Sequence, residues 1–165
     1  IQWFPGHMHL TRKAIGERIK DIDVVIELLD ARLPGSSGNP LLAELTGHKP
    51  TLKVLNKQDV AAPARTPAWL DWYNARPGTR AIARDASDAA PARRLVEACR
   101  QLAPNRRGLS RPMRVLICGI PNVGKSTLIN TLSAKREAKT GDEAGVTKQE
   151  RGGDEFGIAH CLLLR

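Results

Sequence analysis

The fold of this 165-residue chain is decided by one stretch, Met113-Arg114-Val115-Leu116-Ile117-Cys118-Gly119-Ile120-Pro121-Asn122-Val123-Gly124-Lys125-Ser126. The part up to Gly119 is almost entirely apolar, as expected for a strand that is covered on both faces of a parallel sheet. Residues 119–126 match GxxxxGK[ST], and residues 126–132 have the pattern of a helix. A strand, a glycine-bearing loop and a helix in this order predict a P-loop, because glycines let the backbone wrap closely around an anion.

The P-loop pattern assigns chemistry to individual residues. Lys125 is expected to bridge the β- and γ-phosphates of a nucleotide, and the Ser126 hydroxyl to ligate Mg²⁺. Successive backbone N–H groups and the helix N-terminus are expected to bind the β-phosphate. The predicted phosphate-binding residues are Pro121, Asn122, Val123, Gly124, Lys125, Ser126 and Thr127.

Strands alternate with helices along the rest of the chain. Apolar or β-branched runs predict strands at 24–30, 51–55, 79–83 and 158–164. Helical patterns predict helices at 7–20, 41–45, 66–73 and 91–102. Residues 34–40 are rich in Pro, Gly and Ser, which predicts a loop. We therefore predict a three-layer α/β domain, with a mostly parallel sheet covered by helices on both faces.

The net charge of +9 indicates a polyanionic partner, because a basic excess raises the local concentration of polyanions. Nucleic acid is the main candidate, with a charged membrane surface or ordinary solvated side chains as alternatives. Basic residues cluster in two regions, Arg93, Arg94, Arg100, Arg106, Arg107, Arg111 and Arg114, then Lys135, Arg136, Lys139, Lys148 and Arg151. Since only 4% of residues are aromatic, we expect contacts to backbone phosphate rather than base stacking.

Composition also indicates the compartment. Cys99, Cys118 and Cys161 are odd in number and irregularly spaced, which favours reduced, buried thiols. No apolar run approaches the ~20 residues of a membrane helix. The first residues lack the pattern of a signal peptide. We expect a cytoplasmic monomer that does not associate with membranes.

A second motif, Asn56-Lys57-Gln58-Asp59, follows the predicted strand 51–55. It matches NKxD, the pattern that reads guanine in GTPases. Asp59 would accept hydrogen bonds from guanine N1–H and the 2-amino group, a donor pair that adenine lacks. Asn56 would brace the loop near the P-loop, and the Lys57 stem would pack over the base. Because the motif ends a buried strand, where ligands dock in open α/β sheets, it predicts GTP or GDP as the ligand.

The order of the two motifs is unusual. In ordinary GTPases the P-loop comes first, whereas here NKQD precedes the P-loop. Joining the usual termini and cutting the chain elsewhere preserves every contact, since the termini of compact domains often lie close together. The order therefore predicts a circularly permuted GTPase fold.

Four motifs in sequence order carry a family resemblance: Trp3-Phe4-Pro5-Gly6-His7-Met8, Asp30-Ala31-Arg32, NKQD and the P-loop. Together they resemble the YlqF/RbgA family of circularly permuted GTPases. The resemblance implies a slow, ribosome-stimulated GTPase that assembles the large ribosomal subunit, binding precursor particles and rRNA with GTP and leaving on hydrolysis. It also implies that residues 1–165 are a GTPase domain truncated before DxxG, and that the family's C-terminal helical RNA-binding domain lies outside this chain.

The same resemblance implies several residue roles. Thr147 looks like the switch I threonine that reaches Mg²⁺, and Asn122 matches an asparagine that permits K⁺ in related GTPases. Ala83 and Arg84 fall where the guanine-backing loop should be. His7 is a candidate for orienting the attacking water, and the alternative is that its motif is a packed N-terminal anchor.

Two other functions stay open at this point. A GTP-gated rRNA-binding module with negligible hydrolysis would carry the same motifs. Asp154-Glu155-Phe156-Gly157 spells DxxG but precedes the last predicted strand, so it is interpreted as a chance match. A P-loop ATPase or small-molecule kinase would share the P-loop, but NKQD argues against it.

Overall fold

Five strands pair into one sheet in the computed structural model, which describes residues 12–13, 15–85, 91–104, 111–120, 123–137 and 159–164. The strands are β1 (Val24–Asp30), β2 (Thr51–Asn56), β3 (Thr79–Ala83), β4 (Met113–Gly119) and β5 (Ala159–Leu164). Their order is β3-β2-β1-β4-β5, in which β1 to β4 are parallel and β5 is antiparallel to β4. The prediction of a mostly parallel sheet is confirmed.

Helices connect the strands. They are α1 (Pro34–Ser37), α2 (Pro40–Thr46), α3 (Thr66–Asn74), α4 (Pro91–Leu102) and α5 (Lys125–Glu137). Residues 12–13 and 15–18 are also helical and run into a 3-10 turn, Ile19–Asp21. None of the helices in the described ranges is long and apolar enough to cross a membrane.

The prediction of a loop over residues 34–40 is wrong in its first half, because α1 forms there. Pro34 occupies the first turn, where its fixed φ suits a helix. The Ser37 hydroxyl accepts from the Asp30 backbone N–H at 2.9 Å and donates to the Pro34 carbonyl at 3.2 Å. This side chain therefore ties the short helix to the end of β1, a contact that the local sequence does not reveal.

Alternate residues of β1 face two different helical layers. Val24, Ile26 and Leu28 are buried in one cluster with apolar residues of α4 and α5. Val25 packs with Leu42 of α2 on the opposite face. Because successive side chains of a strand point to opposite faces, this pattern requires a sheet that is covered on both sides. The prediction of three layers is confirmed.

One charged pair is buried within the second of these faces. Glu27 and Lys53 are opposite each other in the β1–β2 register and form an ion pair, with side chains only 5% and 14% exposed. Lys53 Nζ also lies 5.7 Å from the centre of the Tyr73 ring. A slip of one residue would separate the charges, so the pair stabilises the observed register.

Two of the three cysteines are buried, as predicted. Cys99 and Cys118 are both free thiols in the core. Burial raises the pKa of Cys99 to about 12 and raises the pKa of Cys118 as well. Both thiols are therefore protonated at neutral pH and serve as packing groups. The side chain of Cys161 lies outside the described residues.

Candidate nucleotide-binding site

The candidate site lies at the edge of the sheet where the parallel strands end. The chain runs outward from β1 to β2 and β3, and it returns on the other side of β1 as β4. Ligands of open α/β sheets bind at such a reversal, outside the carboxyl ends of the strands. The P-loop follows β4 and NKQD follows β2, so both motifs lie at this edge.

Two glycines allow the P-loop to turn tightly. A Cβ on Gly119 would lie 2.9 Å from Val123 Cγ1 and 3.0 Å from the Leu28 carbonyl oxygen, so only glycine fits against β1. Gly124 has a φ of +103°, a backbone conformation that residues with a Cβ rarely adopt. The loop therefore needs glycine at both positions for steric reasons that are independent of any ligand.

Lys125 begins α5 and is 6% exposed. Its Nζ donates to the Gly119 carbonyl at 3.0 Å and to the Ile120 carbonyl at 2.8 Å. The ammonium group is thus held beside the start of α5, where the first backbone N–H groups have no acceptor within the helix. A positive charge next to a helix N-terminus fits a phosphate group. Ser126 and Thr127 are exposed in the same first turn.

Asn56 joins the two motifs. Its Nδ2 donates to the Val123 carbonyl of the P-loop at 3.0 Å. A Cβ on Gly124 would collide with the same Nδ2 atom. The Asn56 carbonyl also accepts from the Ala31 N–H at 2.8 Å, which attaches the motif to the end of β1. The structure therefore brings Asn56, Val123 and Gly124 together across the intervening strand.

The rest of NKQD turns away from the sheet. Lys57 has a φ of +62°, and it is the one non-glycine residue with positive φ among those the structure describes. The following residues form a 3-10 turn, Gln58–Val60, which contains Asp59. Asp59 is exposed, so its carboxylate can meet a ligand at the sheet edge.

Residues after β3 support this turn. The Arg84 N–H donates to the Leu55 carbonyl at 2.9 Å, and the Arg84 carbonyl accepts from the Gln58 N–H at 3.1 Å. Gln58 Nε2 donates to Asp85 Oδ2 at 3.3 Å. Ala83 ends β3 opposite Leu55. Ala83 and Arg84 thus lie beside NKQD. Sequence reasoning missed Gln58 because the x of NKxD is an unspecified position, and it missed Asp85 because that residue belongs to no motif.

Asp30 and Arg32, which the family resemblance includes without a role, form a second group at this edge. Arg32 donates from Nε to Asp30 Oδ1 at 3.0 Å and from Nη2 to Oδ2 at 2.7 Å. The Arg32 backbone N–H donates to Oδ1 at 3.0 Å. The Arg32 side-chain hydrogen bond is the main reason that the pKa of Asp30 is lowered, although partial burial opposes it. Lys57 Nζ lies 3.9 Å from the same carboxylate.

Four predicted site residues lie outside the described part of the chain: His7, Pro121, Asn122 and Thr147. The Mg²⁺ role of Thr147, the K⁺ role of Asn122 and the water-orienting role of His7 therefore stay predictions. Residues 154–157, which spell DxxG, also lie outside the described residues.

The helix α4 presents basic residues to solvent. Arg93, Arg94 and Arg100 are exposed, whereas Leu95 and Cys99 face the core. Arg111 and Arg114, near the start of β4, are exposed as well. Arg106 and Arg107 lie outside the described residues. Each of these five arginines is therefore accessible to a polyanion.

Comparisons with known proteins agree with the two motifs. Residues 114–155 match the family described as 50S ribosome-binding GTPase. The chain is 45% identical over 159 residues to the ribosome biogenesis GTPase A of Priestia megaterium, covering 92% of this chain and 55% of that protein. It is 47% identical to the ribosome biogenesis GTPase A of Bacillus cereus, covering 92% of this chain and 53% of that protein.

A more distant relative is the mitochondrial ribosome-associated GTPase 1 of Mus musculus, 33% identical over 89% of this chain and 48% of that protein. The chain spans about half the length of the curated relatives it matches. The P-loop, NKQD and the sequence identity over most of the chain lead to one conclusion. Over 92% of its length the chain is similar to the ribosome biogenesis GTPase A proteins, the YlqF/RbgA proteins that its motifs resemble.

Proposed function

We propose that this chain is the GTP-binding and GTP-hydrolysing domain of a cytoplasmic assembly factor for the large ribosomal subunit. The observation that carries the proposal is the hydrogen bond from Asn56 to the Val123 carbonyl, because it unites a guanine-reading motif and a phosphate-binding motif in one site. The proposal includes circular permutation: the sheet of an ordinary GTPase, with NKQD ahead of the P-loop in the chain. The names of the relatives support the ribosomal role.

The residues present fit a guanine nucleotide. The Asp59 carboxylate is exposed at the sheet edge and can accept from guanine N1–H and the 2-amino group. Lys125 and the N-terminus of α5 supply positive charge and N–H donors for the phosphates. We propose that Ala83 and Arg84 back the guanine base, and the hydrogen bond from the Gln58 N–H to the Arg84 carbonyl supports this placement.

Hydrolysis would depend on positioning and electrostatics. Lys125 would neutralise negative charge that develops on the phosphoryl group, and it is already held in place by two backbone carbonyls. When bound, Mg²⁺ supplies charge neutralisation between the phosphates, and Ser126 and Thr147 are the residues that we propose would hold it. We further propose that Asn122 helps to admit K⁺ and that His7 orients the attacking water.

The test of base recognition is the isosteric change Asp59→Asn. We expect GDP affinity to fall by at least about tenfold, since a charged hydrogen-bond acceptor is lost. Affinity for xanthosine diphosphate should rise, because the amide N–H₂ that this substitution introduces can donate to the 2-oxo group of xanthine. Asp71→Asn, an exposed carboxylate on α3, is the matched control and should change neither affinity. Titration with both fluorescent nucleotides measures this, and unchanged GDP binding in the Asp59 variant would contradict the proposal.

Hydrolysis itself is tested by single-turnover assays with and without large-subunit particles. We expect slow turnover alone and faster turnover with particles. Tight GTP binding with no hydrolysis under either condition would favour a GTP-gated RNA-binding module instead.

We also propose that exposed arginines of α4 contact rRNA. Their exposure and the net charge of +9 support this. The variant Arg93→Glu should weaken rRNA binding and flatten its dependence on salt, because one phosphate contact becomes a repulsion. Arg65→Glu, an exposed arginine at the start of α3, is the matched control. Equal effects of both changes would indicate that rRNA binding depends only on the net charge of the protein.

A further inference from the structure

The Asp30–Arg32 pair is built with more bonds than an ordinary surface ion pair. Its carboxylate receives two side-chain bonds and one backbone bond from Arg32, at 2.7 to 3.0 Å. The Asp30 backbone N–H is fixed in turn by the Ser37 hydroxyl of α1, at 2.9 Å. Side-chain exposure is 15% for Asp30 and 51% for Arg32, so the carboxylate is largely covered while its partner faces solvent. These hydrogen bonds fix the orientation of the Asp30 carboxylate.

That carboxylate is next to the NKQD loop. Asp30 is opposite Asn56 in the β1–β2 register. Lys57 Nζ lies 3.9 Å from Asp30 Oδ2, and the Lys57 side chain is 39% exposed. The lysine stem therefore extends from the end of β2 toward the end of β1, and its charged end lies near the Asp30 carboxylate.

The backbone conformation of Lys57 bears on this contact. The left-handed conformation of Lys57, at a φ of +62°, is unfavourable for a residue with a Cβ. It persists because the residues on each side are held, Asn56 by Val123 and Gln58 by Arg84. The start of the Lys57 side chain is therefore fixed by the backbone, and its far end lies 3.9 Å from Asp30 Oδ2.

We infer that Asp30 and Arg32 are positioning residues for guanine-nucleotide binding, and that they act by holding the Lys57 stem as one wall of the base pocket. The inference rests on the proposed function, since it assigns the base to the NKQD side of the site. Arg32 acts on Asp30, Asp30 acts on Lys57, and only Lys57 touches the base. The motif Asp30-Ala31-Arg32 thereby gains a physical role.

The experiment is a double-mutant cycle between Asp30→Asn and Lys57→Met, read by GDP titration. The methionine keeps an apolar stem of similar length but has no charge for Asp30 to hold. In the parent protein, Asp30→Asn should weaken GDP binding about three- to tenfold, the usual coupling of contacting residues. In the Lys57→Met background the same change should have almost no further effect. Arg32→Gln should cause a smaller loss of GDP affinity than Asp30→Asn. Arg32→Lys should bind GDP more tightly than Arg32→Gln, because it keeps the positive charge.

The exposed pair Arg12–Glu44, 52% and 67% exposed, provides a matched control. Glu44→Gln removes a carboxylate from an arginine in the same way and should leave GDP affinity unchanged. If Asp30→Asn weakens GDP binding equally in both backgrounds, the pair acts on the fold and the inference is overturned. If Asp30→Asn does not fold, Arg32→Gln in the same two backgrounds decides the question. A parent protein that binds GDP no better than ADP would instead overturn the proposed function.

Discussion

The two sides of the candidate site are built in different ways. The phosphate side, residues 119–120 and 123–127, comes from one stretch of chain, and its lysine bonds to carbonyls only five and six residues away. The base side, Asn56–Asp59 with Asp30, Arg32, Arg84 and Asp85, comes from the ends of three strands. Its contacts connect residues as far apart as Asn56 and Val123, 67 positions along the chain.

This difference fits what each side is proposed to recognise. Phosphate groups are common to all nucleotides and can be bound by backbone N–H groups, which any short loop can present. A particular base must be recognised by side chains pointing in fixed directions, and those directions are set by neighbours from other strands. Changes on the phosphate side should therefore weaken all nucleotides alike, while changes on the base side should act mainly on guanine nucleotides.

The largest effect is expected from Gly124→Ala on the phosphate side. The new Cβ would collide with Asn56 Nδ2, and alanine would have to adopt a φ of +103°. Both the P-loop and the Asn56 side chain must therefore move. We expect GDP affinity to fall by about a hundredfold, since backbone strain alone costs about 1–3 kcal/mol. Calorimetric titration with GDP and GTP measures it. Gly78→Ala also has positive φ, but nothing lies near its Cβ, so it serves as the control for strain away from the site.

A smaller effect is expected from Asn56→Ala, which removes the bond that joins the two sides. Losing one partly buried hydrogen bond should weaken GDP and GTP binding by about tenfold. Unlike other residues of the base side, Asn56 also bonds the P-loop, so its loss should weaken the binding of ADP as well. If ADP and pyrophosphate binding are unchanged, the two sides are independent and the Asn56–Val123 hydrogen bond does not contribute to phosphate binding.

Gln58→Ala should be milder and confined to the base side. It removes the 3.3 Å bond to Asp85 and leaves the backbone bond to Arg84 intact. We expect about a threefold loss for GDP and none for pyrophosphate, measured by competition against a fluorescent guanine nucleotide. Gln101→Ala is a control of the same type, because Gln101 bonds Arg80 near the start of β3 whereas NKQD lies beside the end of that strand. A loss that extends equally to pyrophosphate would contradict the division into two sides.

The smallest effect is a pH dependence of stability on the base side. The pKa of Asp30 is lowered below its usual 3.8, mainly by the Arg32 hydrogen bond. Stabilisation by the charged carboxylate is therefore complete above pH 3.8 and is lost as the pH falls further, through the folded-state pKa. The difference in urea unfolding free energy between the parent and Asp30→Asn should shrink over that range. Its size at neutral pH is expected to be about 1 kcal/mol or less. A difference that does not change with acid would show that Asp30 has an ordinary pKa.

Much of the fold could be predicted from the sequence. All five described strands lie within one residue of their predicted bounds, because strands buried on both faces read as continuous apolar runs. The error at 34–40 has a physical cause: α1 is stabilised by Ser37 bonding to Asp30, seven residues earlier and in another element. Short helices of this kind depend on such contacts rather than on the propensity of their own residues.

Less of the candidate site could be predicted. Lys125, Asn56 and Asp59 belong to recognisable motifs, so residue type and spacing were enough to predict them as site residues. Gln58 and Asp85 carried no signal, since they meet only after β2 and β3 pair. The left-handed backbone of Lys57 was also hidden, because asparagine or glycine would have indicated that conformation and lysine does not.

By itself, the sequence predicted the phosphate side, gave the order of the two motifs and carried the family resemblance, because each is a property of neighbours along the chain. Only the tertiary structure decided how the base side is assembled. Strand β1 lies between β2 and β4, and Asn56 must reach past its end to Val123. The carboxylate of Asp30 comes within 3.9 Å of Lys57 for the same reason, since β1 and β2 are paired with Asp30 opposite Asn56. Contacts between distant parts of the chain exist only once the sheet has formed, and no local pattern encodes them.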